Sequence, residues 1–177
     1  MRAALFLDRD NTLTIDHGYT HRLEDLEFVP GAIDALRRVP AEVPIIVITN
    51  QSGVGRGFYP ESVMHQFHAR LTGRLAEAGV RIAAIRFCPH DPTQERCTCR
   101  KPGISLLVDA AKTLGLDLSR SVFIGDSAAD MEAARRAGCL PVELPFRPGM
   151  PRAEASDAWS RAIRTALDAL IRNKPFS

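Results

Sequence analysis

The sequence predicts an α/β fold: a central parallel sheet of about five strands, covered by helices on both faces. Three observations predict it. Short apolar runs alternate with longer segments whose apolar residues recur every three or four positions, the patterns of buried strands and amphipathic helices. The runs are continuously apolar, as parallel strands buried on both faces require. The 177 residues are 45% hydrophobic and 25% charged, an ordinary globular composition in a length that suits one domain spanning 1–177.

The elements follow in order. Ala3–Leu7 reads as the first strand. Pro30-Gly31 opens a helix carrying Ile33, Leu36 and Val39. Pro44–Ile48 is the second strand, and the glycine-rich Gly53–Gly57 a loop. From Pro60 to Ala78, Met64, Phe67, Leu71 and Leu75 lie at helical spacing. His65 and His68 fall on that helix and are expected to be partly exposed. Ile82–Phe87 is the third strand, and the polar, proline-punctuated stretch Pro89–Gly103 a loop. Ile104–Leu114 is a helix stopped by Gly115. Ser121–Ile124 is the fourth strand, Asp130–Ala137 a helix ending at Gly138, and Leu140–Leu144 the fifth strand. Trp159, Ile163, Leu167 and Leu170 mark a C-terminal helix over about 153–173.

Composition excludes several functions. The longest apolar stretch, around Val43–Ile48, is far below the ~20 residues of a membrane helix. Asp8 interrupts the N-terminal apolar run too early for a secretory signal, so a cytoplasmic enzyme is expected. A net charge of +2 and 6% aromatic residues give no basis for nucleic-acid binding. Arg135, Arg136, Arg147 and Arg152 read as a solvated face. A small-molecule substrate and a monomer are expected.

In open parallel sheets ligands bind beyond the carboxyl ends of the strands. Asp8-Arg9-Asp10-Asn11-Thr12 follows the first strand and Thr49-Asn50-Gln51-Ser52-Gly53 the second. Lys101 lies in the loop after the third, and Gly125-Asp126-Ser127, with Asp130 beyond, follows the fourth. Asp8 and Asp10, two residues apart on extended chain, share a face. Four carboxylates on one edge repel unless a cation neutralises them, and Mg²⁺ prefers oxygen ligands and phosphate oxygens. This set suits phosphoryl transfer: one carboxylate as nucleophile, a second as general acid, and lysine with metal to screen the phosphate.

Cys88 and His90 are followed by Cys97 and Cys99. Three thiols and one imidazole make a Cys₃His set for structural Zn²⁺. A Cys97–Cys99 disulfide would be strained at that separation. Cys139, just before an apolar strand, belongs to the core.

The segments LDRDNTL, ITNQSG, RKPG and IGDSAAD resemble the four motifs of the haloacid dehalogenase superfamily of phosphatases. The resemblance implies a three-layer Rossmann-like fold and an aspartyl-phosphate mechanism, with Asp8 as nucleophile and Asp10 as general acid/base. It places Mg²⁺ on Asp8, the Asp10 main-chain carbonyl and Asp126, steadied by Asp130, with Thr49, Asn50 and Lys101 holding the phosphoryl group. About forty residues separate Asp8 from Thr49, so the lid is minimal. Two branches of the superfamily combine such a lid with a Cys-x-His…Cys-x-Cys-Arg-Lys-Pro loop: one acts on a heptose bisphosphate, the other on histidinol phosphate. Asp16-His17-Gly18-Tyr19 and Gln51-Ser52 resemble the former and would contact a sugar bisphosphate, with Arg100 forked onto its second phosphate. A histidinol-phosphate phosphatase or a broader sugar-phosphate phosphatase is the alternative. Asn11 stands where glycine is usual, and Ser127 where lysine is frequent.

Overall fold

The computed structural model describes residues 1–94 and 96–172; Glu95 and residues 173–177, with the last position of the predicted 153–173 helix, lie outside the described residues. Five strands, β1 (Leu5–Leu7), β2 (Ile45–Asn50), β3 (Ile82–Cys88), β4 (Val122–Gly125) and β5 (Leu140–Glu143), form one sheet in the order β3-β2-β1-β4-β5. Every pairing is parallel, with Leu5 opposite both Ile45 and Val122. The central position of β1 puts its carboxyl end at the crevice where chain direction across the sheet reverses.

The strands alternate in which face they feed. Leu5, Leu7, Val47, Val122 and Ile124 pack on one side, against α1 (Ala32–Leu36), α3 (Glu61–Glu77) and α6 (Arg152–Arg172). Phe6, Ile46, Ile48 and Phe123 pack on the other, against α4 (Ser105–Leu114) and α5 (Ala128–Ala137). Cys139 is buried in this second layer. Two apolar faces explain the unbroken hydrophobic runs.

Two expectations are corrected. Gly53–Gly57 is not wholly loop: Ser52–Gly55 form a one-turn helix, α2, with the Arg56 N–H bonded to the Ser52 carbonyl. Gly53 and Gly55 serve close approach here. A Cβ on Gly53 would sit 2.5 Å from the Tyr59 hydroxyl, and one on Gly55 would sit 2.5 Å from the Asp91 nitrogen. His68 is also not exposed, lying 6% accessible on the inner face of α3, whereas His65 faces solvent.

Candidate active site

Asp8 leaves β1 with its N–H bonded to the Ile124 carbonyl of β4, which fixes its backbone at the sheet's centre. Lys101, only 4% exposed, reaches it from the loop after β3. Its Nζ lies 2.6 Å from Asp8 Oδ1, 2.6 Å from Asp130 Oδ1 and 2.7 Å from the Ile48 carbonyl. Burial alone would lower the lysine pKa, but Asp8 and Asp130 carry it above its ordinary value. It is therefore a fixed ammonium.

Asp126 follows β4, with Thr12 Oγ1 donating to its Oδ1 at 3.3 Å. Asp130 sits in the first turn of α5 in a reciprocal cap. Ser127 Oγ accepts from the Asp130 N–H at 3.2 Å, and the Ser127 N–H donates to Asp130 Oδ2 at 3.1 Å. Gly125 is required beside it, because a Cβ there would lie 2.5 Å from Asp130 Cβ.

Thr49 and Asn50 end β2, and Gln51 follows it. Gln51 Nε2 donates to both Asp10 Oδ2 and Thr49 Oγ1 at 2.8 Å. Asn50 is committed elsewhere: its Nδ2 donates to the Lys101 carbonyl at 3.2 Å and its Oδ1 accepts the Lys101 N–H at 3.0 Å. It positions the lysine's backbone with both ends of its amide.

Asp10, Asp16, Gly18, Tyr19, Asn50, Gln51 and Ser52 line a recess of about 180 Å³. Asp16 Oδ1 accepts the Gly18 N–H, the Thr20 N–H and the Thr20 hydroxyl, so that oxygen shapes the loop. Tyr19, at φ +55°, packs edge-on against Phe58 with ring centroids 4.8 Å apart. Two of the predicted substrate contacts stand apart from the recess. His17 faces Glu27 at 3.6 Å in a neighbouring cavity. Arg100 lines a separate groove with Cys97, Pro102 and Ile104, its Nη1 buried with no hydrogen-bond partner among the described residues.

Cys88, His90, Cys97 and Cys99 each offer one ligand atom, all within 4.8 Å of one another. Three free thiols and a ring nitrogen in one shell match the donor chemistry of tetrahedral zinc. Burial pushes the Cys88 thiol up. Burial also opposes ionisation of Cys97, yet the Arg100 main-chain N–H and neighbouring thiols bring it down to about 7. The loop is fastened to α2: the Gln51 N–H donates to the Cys88 carbonyl at 2.7 Å and the Gly55 N–H to the Pro89 carbonyl at 2.8 Å. Arg56 pairs with the buried Asp91 at 3.3 Å.

Residues 98–142 match the HAD-hydrolase-like family model. A D-glycero-beta-D-manno-heptose-1,7-bisphosphate 7-phosphatase of Photorhabdus laumondii is 38% identical over 173 residues, covering 93% of this chain and 92% of its own. The Escherichia coli K12 protein of that name is 36% identical over 165 residues, covering 88% and 86%. The chain belongs to the haloacid dehalogenase superfamily of phosphatases. Among solved structures, the D,D-heptose 1.7-bisphosphate phosphatase from B. bronchiseptica, complexed with magnesium and phosphate, superposes with a TM-score of 0.75 at 27% identity, covering 91% of this chain and 99% of that one. A putative had-like phosphatase from Mesorhizobium loti gives a TM-score of 0.75 at 32% identity, covering 93% and 87%.

The superfamily's metal chemistry fits this phosphatase. Asp8, Asp126 and Asp130 each offer a carboxylate oxygen within 4.8 Å of the others. Burial, with Asp130 and Asp10 adding repulsion against the pull of Lys101, raises Asp8 to about 7. Burial and Asp130 raise Asp126 to about 6. One lysine does not balance three crowded carboxylates, and a divalent cation would. Asn11 accommodates the position usually held by glycine, since asparagine tolerates its φ of +55°, and its Oδ1 accepts the Asp16 N–H at 3.1 Å. Ser127 is a helix cap, a task a lysine's ammonium cannot perform.

Arg9, wholly buried, and His68 escaped the sequence reading. The only hint was Arg9's place between two aspartates that turn the other way. Burial, then Arg9 and His65, lower His68 to about 3, so the fold holds a neutral imidazole. The unfolded chain takes up a proton below the ordinary value of 6.5, so acid favours unfolding from about pH 6.5 down towards 3. Each pH unit in that window is expected to cost ~1.4 kcal/mol. Urea midpoints at pH 7 and pH 5 for wild type and His68→Phe check this. The variant should lose less between them, and equal losses would place the acid sensitivity elsewhere.

Proposed function

We propose that this phosphatase removes the 7-phosphate of D-glycero-D-manno-heptose 1,7-bisphosphate in nucleotide-activated heptose biosynthesis, as a single-domain cytoplasmic enzyme with Mg²⁺ at the carboxylates and structural Zn²⁺ in the Cys-His loop. The β anomer is the preferred substrate. The observation that carries the reading is the near full-length likeness to the Photorhabdus and E. coli relatives bearing that name, joined to the buried Lys101–Asp8 contact at 2.6 Å.

Asp8 attacks phosphorus, and the bond to the C7 oxygen breaks as an aspartyl-phosphate forms. Asp10 gives its proton to the departing alkoxide, then takes one from the water that hydrolyses the acyl phosphate. Lys101 faces the charge that builds on the transferring group. Thr49 stands beside it, and Asn50 keeps Lys101 in register. Asp8, the Asp10 carbonyl and Asp126, with Asp130 behind, would hold Mg²⁺, which would supply the positive charge that lets an anionic nucleophile meet an anionic phosphate. Asp16, His17, Gly18 and Tyr19 form the loop over the sugar, with Gln51 and Ser52 opposite. Arg100 would meet the second phosphate only from the groove next to the recess.

The test is phosphate release with Mg²⁺ from both heptose 1,7-bisphosphate anomers, histidinol phosphate and fructose 1,6-bisphosphate. A kcat/KM advantage for the β anomer of at least ~10²-fold over the non-heptose substrates is expected. Comparable values across the panel would rule out the heptose assignment and leave a general sugar-phosphate phosphatase.

A further inference from the structure

Arg9 lies between the two motif aspartates, is 0% exposed, and has no role in the chemistry above. An arginine carries five N–H donors in a rigid plane, and all five are placed. Nε and Nη2 reach the same oxygen, Asp10 Oδ1, at 2.7 and 2.6 Å. Nη2 also donates to the Thr20 carbonyl at 3.0 Å. Nη1 points into α3, 3.0 Å from Met64 Sδ and 3.4 Å from His68 Nε2. The guanidinium Cζ lies over the Phe67 ring, 4.9 Å from its centre. A buried, fully partnered guanidinium has nowhere else to go.

Asp10 is thereby held asymmetrically. Oδ1 is held by the fork, and among the described residues Oδ2 takes the Gln51 amide at 2.8 Å, in a side chain that lines the recess. We infer that Arg9 is a positioning residue that fixes the rotamer of Asp10 so that Oδ2 alone exchanges a proton with the leaving group, and that the same guanidinium ties the Asp16–Thr20 loop to that geometry. A lysine cannot replace it, because a single ammonium cannot reach Asp10, Thr20 and α3 together. The inference rests on the phosphatase reading above.

Its test uses leaving groups of graded basicity. kcat/KM extends only through release of the alcohol, so it reports the step in which Asp10 donates its proton. 2,4-Dinitrophenyl phosphate departs without help; phenyl phosphate and an alkyl phosphate need the acid. Wild type should show a shallow dependence on leaving-group basicity. Arg9→Lys should react with the dinitrophenyl ester within about threefold of wild type yet lose ~10²-fold or more on the alkyl ester, within the range of general acid loss. A merely structural role predicts the same fractional loss on every ester, and that outcome overturns the inference. Should Arg9→Lys fail to fold by thermal melt, the double variant Met64→Leu/His68→Phe loosens the fork from its rear while keeping Arg9. It should steepen the dependence in the same direction, and an unchanged slope with intact folding counts against the role. Wild type inert towards every ester would instead refute the phosphatase reading itself.

Discussion

Asp8→Asn is expected to lower phosphate release by at least ~10⁴-fold, because an amide is a poor nucleophile and no other carboxylate can take its place. Among the described residues, Lys101 Nζ bonds Asp8, Asp130 and a main-chain carbonyl, with the Phe123 ring 5.4 Å away, and Asp130 is occupied in the α5 cap. The same change should not weaken the fold. Asp8 is raised to about 7 by burial and by its acidic neighbours. A raised carboxylate contributes stability that is fully present below its unfolded value and lost as pH rises through the folded one. Above pH 7 without metal, the ionised Asp8 is therefore a burden that asparagine removes. Thermal melts at pH 8 of zinc-loaded protein in magnesium-free buffer should put the variant at or above wild type, while added Mg²⁺ stabilises wild type more. Near-normal turnover by Asp8→Asn would dispose of the aspartyl-phosphate mechanism.

Loss of zinc is expected to act first on folding and then on catalysis. Structural zinc supplies ~10–16 kcal/mol of binding free energy in small sites, comparable with the entire stability of a domain. Cys97→Ser, or chelation of wild type, should lower the melting temperature by about 10 °C or more. Turnover should fall with it, because the loop holds two parts of the site. Its far end carries Arg100 and Lys101, and its near end is bonded through Cys88 and Pro89 to the segment bearing Gln51. Metal content by mass spectrometry, read alongside the melt, checks the order of events. An unchanged melt and unchanged turnover at zero zinc would end the structural role.

What was legible in the sequence was the gathering of polar side chains at strand ends. A parallel sheet brings every strand's carboxyl end to one edge, so Asp8, Thr49, Lys101 and Asp126 could be placed together from their spacing alone. Cys88, His90, Cys97 and Cys99 were legible for a similar reason: soft donors in a polar loop have few other uses. The orientation of long side chains was not legible. Asn50 serves Lys101 through both ends of its amide, and one Asp16 oxygen serves its own loop. Both roles depend on backbone brought close only by folding. The burial of Arg9 and His68 was hidden because each is acceptable inside only as the other's neighbour, with Asp10, Thr20 and Met64 completing the set. The Ser52–Gly55 helix was hidden because glycine's freedom reads as loop until the Tyr59 ring and the Asp91 backbone demand a bare Cα.

The chain has one tryptophan. Trp159, buried on α6, donates from its indole Nε1 to the Thr12 carbonyl at 3.1 Å, and Thr12 in turn donates to Asp126. Intrinsic fluorescence is therefore a spectroscopic window on the segment between the nucleophile and the fourth motif. Emission excited at the indole band reads this one hydrogen bond without a background from other tryptophans. Titrating magnesium or inorganic phosphate into unlabelled protein should be visible as a change in a single fluorophore, two bonds removed from the carboxylate that would hold the metal.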